Sequence, residues 1–404
     1  MKRTVAQKKY CIKYLLSISL CVFVLWLFCP TFVAKKGMIV VAEPSYQNAE
    51  LEENIKDQLE HLDLRALQEY VDSLGGFSDK SVKERLLDYI RTEGADYEGI
   101  RGRIGEIFFA KVLELAPSFA CITAVALLSG LLSMLKSDSA GQSSSKMISL
   151  ITYAGALIPL LGVITECFTC VIDCVSSMKT QMDVLFPLML TLMSVSGEAV
   201  TASVCKPAVA FFSTGIVSVI ESVVFPLTLT IIVFSIAGNL SSELKIGKFT
   251  AFFKSINKWV IGISVSVFGI FFTLQGITSA TYDGVVRRAT KYALGNGIPI
   301  IGGFLSGGFD LAVAGGVLIK NSLGSMGIFL LISVLFEPIS LLIAVNVTLR
   351  LTSAISQPFG DGKISDFLGD TAENLHYCTA GLLFTAFLYF LTIMVMIFAT
   401  EALL

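Results

Sequence analysis

Six carboxylates stand inside or beside long apolar runs: Glu166, Asp173, Glu198, Glu221, Asp310 and Glu337. A charge in hydrocarbon costs about 2.5 kcal/mol or more, so each of these needs a partner, a proton or water, and such groups mark polar pathways and proton relays. Glu166 and Asp173 are seven residues apart and so share one helical face, with Cys170 and Cys174 between or beside them. Glu221 and Glu337 sit mid-run next to the prolines Pro226 and Pro338. A proline frees backbone groups as well as bending a helix, which makes these two the foremost candidates for functional groups. Glu166 and Asp310 complete the candidate set. Asp173 and Glu198, near expected helix ends, fit snorkelling towards the interface better.

Other chemistry finds less support. Residues 295–310 read GNGIPIIGGFLSGGFD. A Walker A loop would need Lys-Ser/Thr after its last glycine, but Gly308-Phe309 follows Gly307. A dinucleotide loop would need a third glycine where Ile300 stands. What remains is a break in a membrane helix or a tightly packed stretch of one, carried by Pro299, Gly302, Gly303, Gly307 and Gly308. The cysteines at 167, 170 and 174 have Cys-x-x-Cys spacing but no nearby histidine to complete a metal site. The only histidines are His61 and His376, both in segments read as lying outside the membrane. No nucleophile–base motif is present. The expectation is therefore no catalytic, cofactor or metal site, and no enzyme.

These residues must be positioned by elements built for lipid. Of 404 residues, 54% are hydrophobic and only 15% charged, against about a quarter charged in soluble domains, and the mean hydropathy is +0.75. A net charge of −2 argues against nucleic acid as a partner. The charge is concentrated: residues 43–103 hold 15 acids and 8 bases. Ahead of them, residues 1–42 open with five Lys/Arg over 1–13, followed by an apolar core over 14–29, the pattern of a signal peptide or an uncleaved N-terminal anchor. Either one carries 43–103 across the membrane. Within that region Leu51, Ile55, Leu59, Leu62, Ala66, Tyr70 and Leu74 form one amphipathic stripe, and Ser81 with Glu84 forms a capping box.

Residues 104–404 then read as a multi-span membrane domain. Apolar runs fall at 104–135, 148–175, 259–280, 322–349 and 377–400, with 185–238 ambiguous and 295–319 a re-entrant or broken helix. The fold class is all-α, a polytopic bundle of about seven spans. Lys245, Lys248, Lys254 and Lys258 with Phe249, Phe252 and Phe253 suit an interfacial helix on the inner side. If 295–319 crosses the bilayer, the joint 350–376 then lies outside and the C-terminus inside; a re-entrant segment reverses both.

The segments PLMLTLM (187–193), SVCKPAV (203–209) and GNGIPIIGGFLSGGFDLAVAGGVLIKNSLG (295–324) resemble the stage III sporulation protein AE family. The resemblance covers nearly the whole chain and brings no catalytic residues. It implies a permease-like or export-gate subunit of a secretion-like channel complex that links mother cell and forespore and is needed for late forespore development. Implied partners are other membrane and ring-forming proteins of that complex, a separate secretion-type ATPase and a forespore-side protein. The implied location is the mother-cell membrane surrounding the forespore. A stand-alone ion-coupled transporter is the alternative, motivated by Glu221, Glu337 and residues 295–319.

Overall fold

The computed structural model describes residues 48–74, 80–92, 98–134, 142–240, 246–278, 288–290, 292, 302–359 and 362–398. The signal or anchor segment lies outside them. Among the described residues the chain is all-α, without strands. Three short helices come first: α1 (Asn48–His61), α2 (Arg65–Ser73) and α3 (Val82–Thr92). Long helices follow: α4 (Glu98–Met134), α5 (Gln142–Val195), α6 (Ala199–Ala210) and α7 (Phe225–Leu240). The last three are α8 (Gly247–Thr278), α9 (Gly302–Phe359) and α10 (Gly362–Phe398). Between α6 and α7 the chain stays helical through two π-helical segments, Phe211–Ile216 and Ile220–Val224.

Among the described residues, five helices are long and apolar enough to cross a membrane: Phe109–Leu128, Tyr153–Val195, Val217–Asn239, Asp310–Pro358 and Ile364–Phe398. The expected count of about seven came from cutting apolar stretches near 20 residues. Residues 302–319 and 322–349 instead belong to one helix of 58 residues. The glycine-rich run is therefore not a break from Gly302 onward, whereas Pro299 lies outside the described residues. The ambiguous stretch also resolves: α5 runs on to Val195, and the chain turns at Ser196–Glu198 with Gly197 at φ 83°. It then returns as a single helical path. The lysine-rich segment forms the first turns of α8 and not a separate interfacial helix.

Cross-helix contacts define two ends of the bundle. At one, Tyr153 packs on Phe367 and donates to the Ile236 carbonyl, and Asn239 donates to Asp370. Ser353 bonds to Ser365 across the short α9–α10 joint. Lys248, Lys254 and Lys258 stand near this end, which we call the lysine end. At the other, Ile397 and Met189 meet Gly324, and Ser196 meets Gly316. The helical hairpin of α9 and α10 thus places 350–376 at the same end as the lysines, and Phe398 at the opposite one. Of the two placements left open for 350–376, this geometry matches the one on the lysine side, because α9 is one traverse and not two.

Exposed large apolar side chains are densest in a belt on the half towards the lysine end, with Val195, Val204 and Phe211 exposed towards the other end. The belt runs from Phe109 to Leu128 on α4, Met147 to Ile172 on α5, Phe249 to Ile270 on α8 and Ile343 to Ile355 on α9. At 1.5 Å per residue these stretches of α4, α5 and α8 are about 29–38 Å long, close to a bilayer's hydrocarbon of about 30 Å. At 54 residues, α5 is about 80 Å long and extends well past this belt. Past it, the face of α5 and α9 is covered by α1–α3, here termed the head.

The head is held by apolar and polar contacts. Ile55, Leu59, Leu67, Val71, Val82 and Leu86 are each at most 3% exposed and join the same core as the long helices. Gln58 donates to the Ala312 carbonyl at 2.9 Å, and the Tyr70 hydroxyl sits 2.8 Å from Ser177 Oγ and accepts from Gln181 at 2.6 Å. Burial pushes the Tyr70 phenol up despite those bonds. The single helix expected over 51–74 is broken at Leu62–Leu64. Asp63 accepts from both the backbone N–H and the guanidinium of Arg65 and so starts α2, and the buried stripe shifts from Ala66 to Leu67. The capping box forms, with Ser81 N–H on Glu84 Oε2 at 3.0 Å and Glu84 N–H on Ser81 Oγ at 3.3 Å.

Close helix approach is carried further along α9 than the glycines singled out from sequence. A Cβ on Gly324 would stand 2.6 Å from Ile397, and one on Gly327 would stand 2.7 Å from Leu185 and 2.9 Å from Ile393. Gly308 has open space around it. Gly327→Val should lower the thermal unfolding midpoint of the detergent-solubilised protein, by overpacking of about 1–3 kcal/mol. Gly308→Ala should leave it unchanged or slightly raised. An unaltered midpoint for Gly327→Val would contradict the close approach.

Candidate functional site

The sequence-derived carboxylates divide into three settings. Glu166, Asp173 and Glu337 come together. They line one cleft of about 670 Å³ between α4, α5 and α9, along with Lys111, Thr165, Thr169, Cys170, Cys174, Ser177, Ser333 and Leu74. The seven-residue spacing of Glu166 and Asp173 does what helical geometry requires and puts both on the α5 wall. Glu337 faces them from α9 and pairs with Lys111 Nζ at 3.2 Å, and the same ammonium reaches Glu114 at 3.1 Å. Pro338 is buried within an uninterrupted helix, so Glu337 is placed by the α4–α9 contact and not by a break.

Glu221 lies elsewhere, in the second π-helical segment, with Lys179 Nζ 3.9 Å from its Oε2 and 3.2 Å from Ser218 Oγ. Both side chains are about one-third exposed. A π-helical turn carries an extra residue, which rotates the face that follows and often marks a functional position. Asp310 is in the first turns of α9, 27 residues from Glu337 and so about 40 Å along the helix. It takes no part in the cleft. Gly302, Gly303 and Gly307 share its helical start.

Glu198 is where the reading from residues alone fails. Far from snorkelling, its side chain is 2% exposed and that of Lys320 is 0% exposed, with Nζ at 3.3 and 3.4 Å from the two carboxylate oxygens. The α5–α6 turn inserts Glu198 against the middle of α9. The positive φ of Gly197 shapes that turn, and Gly316, one helical turn from Lys320, leaves room for Ser196. Lys111 and Lys320 were missed because only acids in apolar runs were weighed. A lysine inside VLIKNSL carries the same signal, since it demands a partner as strongly as a glutamate does.

The remaining candidates are quickly placed. Cys167 and Cys378 are buried in the core, Cys170 and Cys174 line the cleft, and Cys174 Sγ lies 3.5 Å from the Val334 carbonyl. Among the described residues no three His, Cys, Asp or Glu side chains converge as a metal-binding group. His61 is exposed on the head near Asp57. His376 is on α10, with Nε2 3.1 Å from Arg350 Nη2, and Arg350 is steadied by Asn346 at 2.7 Å. What the arrangement can do is hold water and charge between apolar helices; it has no assembled nucleophile.

The family model described as stage III sporulation protein AE matches residues 81–400. A stage III sporulation protein AE from Bacillus subtilis (strain 168) is 24% identical over 327 residues, covering 80% of this chain and 82% of that protein. No solved structure matches.

The buried pair yields a double-sided expectation. Lys320→Met or Glu198→Gln leaves the other partner buried without its counter-charge and should destabilise the protein by about 3–5 kcal/mol. The double variant Lys320→Met with Glu198→Met should recover most of that loss. Thermal unfolding of the detergent-solubilised protein reads both, and two mild single effects would refute the pairing.

Proposed function

Because the chain belongs to the stage III sporulation protein AE family, we propose that it is the permease-like or export-gate subunit of a sporulation channel complex joining mother cell and forespore. The observation that carries this reading is the cleft, where Lys111, Glu166, Asp173 and Glu337 from helices apolar enough to cross a membrane face one polar space. A scaffold has no need of four ionisable groups there, and each is costly in hydrocarbon. The protein sits in the mother-cell membrane around the forespore, with the acidic head on the far side from the lysine end, where charge bias places the cytoplasm. Energy comes from a separate secretion-type ATPase, since the chain carries no nucleotide-binding motif, and ring-forming and forespore-side proteins complete the path.

A strain lacking the protein should complete engulfment and then fail to sustain late forespore gene expression, followed with a reporter in the forespore. A strain carrying Glu337→Gln, with normal protein levels by immunoblot, should show a partial defect. Normal late expression in the deletion strain would overturn the proposal.

The second reading, an ion-coupled transporter acting alone, draws on the Lys179–Glu221 pair beside a π-helical segment. It expects purified protein in liposomes to move solute under a proton gradient, with Glu221→Gln abolishing the flux. Flux that Glu221→Gln leaves intact would remove that residue from the mechanism.

A further inference from the structure

The cleft lies at the head-side edge of the apolar belt, with Glu166 inside the belt's bounds and Asp173 and Glu337 just past them, and its exposed lining is polar. Lys111 stands between Phe109 and Leu113, which are 66% and 71% exposed, and Asp173 follows the exposed Ile172. Glu166 and Asp173 make no ion pair or hydrogen bond with any other described residue. Carboxylates at this depth need solvation, and the hydroxyls of Thr165, Thr169, Ser177 and Ser333 line the same space. Its volume is that of a small-molecule site and far above what one water requires.

The two ends of this space differ. Towards the lysine end, two to three turns on, Ile122, Leu160, Val345 and Leu349 are completely buried and close the packing of α4, α5 and α9. Towards the head, Leu74 at the end of α2 forms part of the wall. One turn earlier Tyr70 bonds to Ser177, which lines the cleft, and to Gln181 beyond it. A head residue therefore borders a space that reaches down to Glu166 in the belt.

We propose that the cleft is a one-sided, water-filled vestibule: open beneath the head, sealed towards the lysine end, and selective for cations. Three carboxylates and one ammonium, the latter already shared between Glu114 and Glu337, set its sign. The head is then part of the entrance to the membrane domain, and Leu74 and Tyr70 fix how wide that entrance is. The vestibule's use in transport rests on the permease reading above, but its existence does not, and a labelling experiment without transport separates the two.

The cleft carries its own probe, Cys170. The full chain with Cys170 as its sole cysteine is placed in membrane vesicles of both orientations, assigned by whether trypsin reaches the exposed Lys56. It is treated with a cationic methanethiosulfonate, its anionic sulfonate counterpart and a lipid-soluble maleimide. Thr169→Cys in a cysteine-free chain is the second reporter, and Leu113→Cys, on the lipid-facing side of α4, is the control. Both cleft positions should react from the head side with the cationic reagent about tenfold faster than with the anionic one, as two carboxylates a few ångströms away predict. Glu166→Gln with Asp173→Asn should erase that difference while leaving the maleimide rate unchanged. Leu113→Cys should react only with the maleimide. Reaction of Cys170 and Thr169→Cys with the maleimide alone would show a cleft facing hydrocarbon, and reaction from the lysine side would show a through-path. Either result overturns the proposal.

Discussion

Backbone-close packing of α9 against its neighbours is the constraint from which the rest follows. Gly316, Gly324 and Gly327 let Ser196, Ile397, Met189, Leu185 and Ile393 approach α9 more closely than any Cβ would allow. Packing this close leaves no room for water or for a misplaced polar group between the helices. With α9 drawn against the end of α5, Lys320 is sealed from water and has to be met by Glu198. Further along α9 the glycines stop. Ser333, Glu337 and Pro338 take the facing positions, the helices separate, and the cleft appears. Tight packing at one level and a charged space at another are two consequences of the residue sizes along one helix.

The two ion pairs of α9 work in opposite ways. Lys320–Glu198 is fully buried, and a pair of that kind adds little net stability while making any other register costly, because slippage would strand a charge. It acts as a registry pin between α9 and the α5–α6 turn. Lys111–Glu337 is exposed to the cleft, with the Glu337 side chain 59% accessible, and so is bathed by whatever fills that space. Such a pair is weak and easily exchanged. The first pair holds the structure in place, and the second sits where charge can be rearranged without unfolding anything.

How much of this was legible in the sequence depended on the range of the interaction. Local signals read well: the all-α class, the shared face of Glu166 and Asp173, and the Ser81–Glu84 box each rest on spacing within a few residues. The gathering of Glu337 with the α5 acids is a contact between residues more than 160 positions apart, and no local pattern encodes it. Helix length was misread for a physical reason. The rule of about 20 residues per span presumes a helix that ends at the membrane surface, whereas α5 and α9 run on as single helices of 54 and 58 residues, packed in part against the head. Asp63 broke a helix that the apolar stripe carried through, because a side chain that bonds the N–H two residues on competes with the helix itself.

The reach of α5 and α9 explains why an acidic, water-loving head is fused to so apolar a chain. Past the belt, α5 and α9 still present Leu, Met and Phe, which need cover. The amphipathic faces of α1–α3 supply the missing cover, and their acidic faces meet water. Two short helices and a third make too small a core to fold alone, so the head gains its stability from α5 and α9 just as they gain their cover from the head. That mutual dependence fixes Tyr70 against Ser177 and Leu74 at the cleft. The same contact that holds the head on α5 therefore also borders the cleft where the charged groups of α4, α5 and α9 meet.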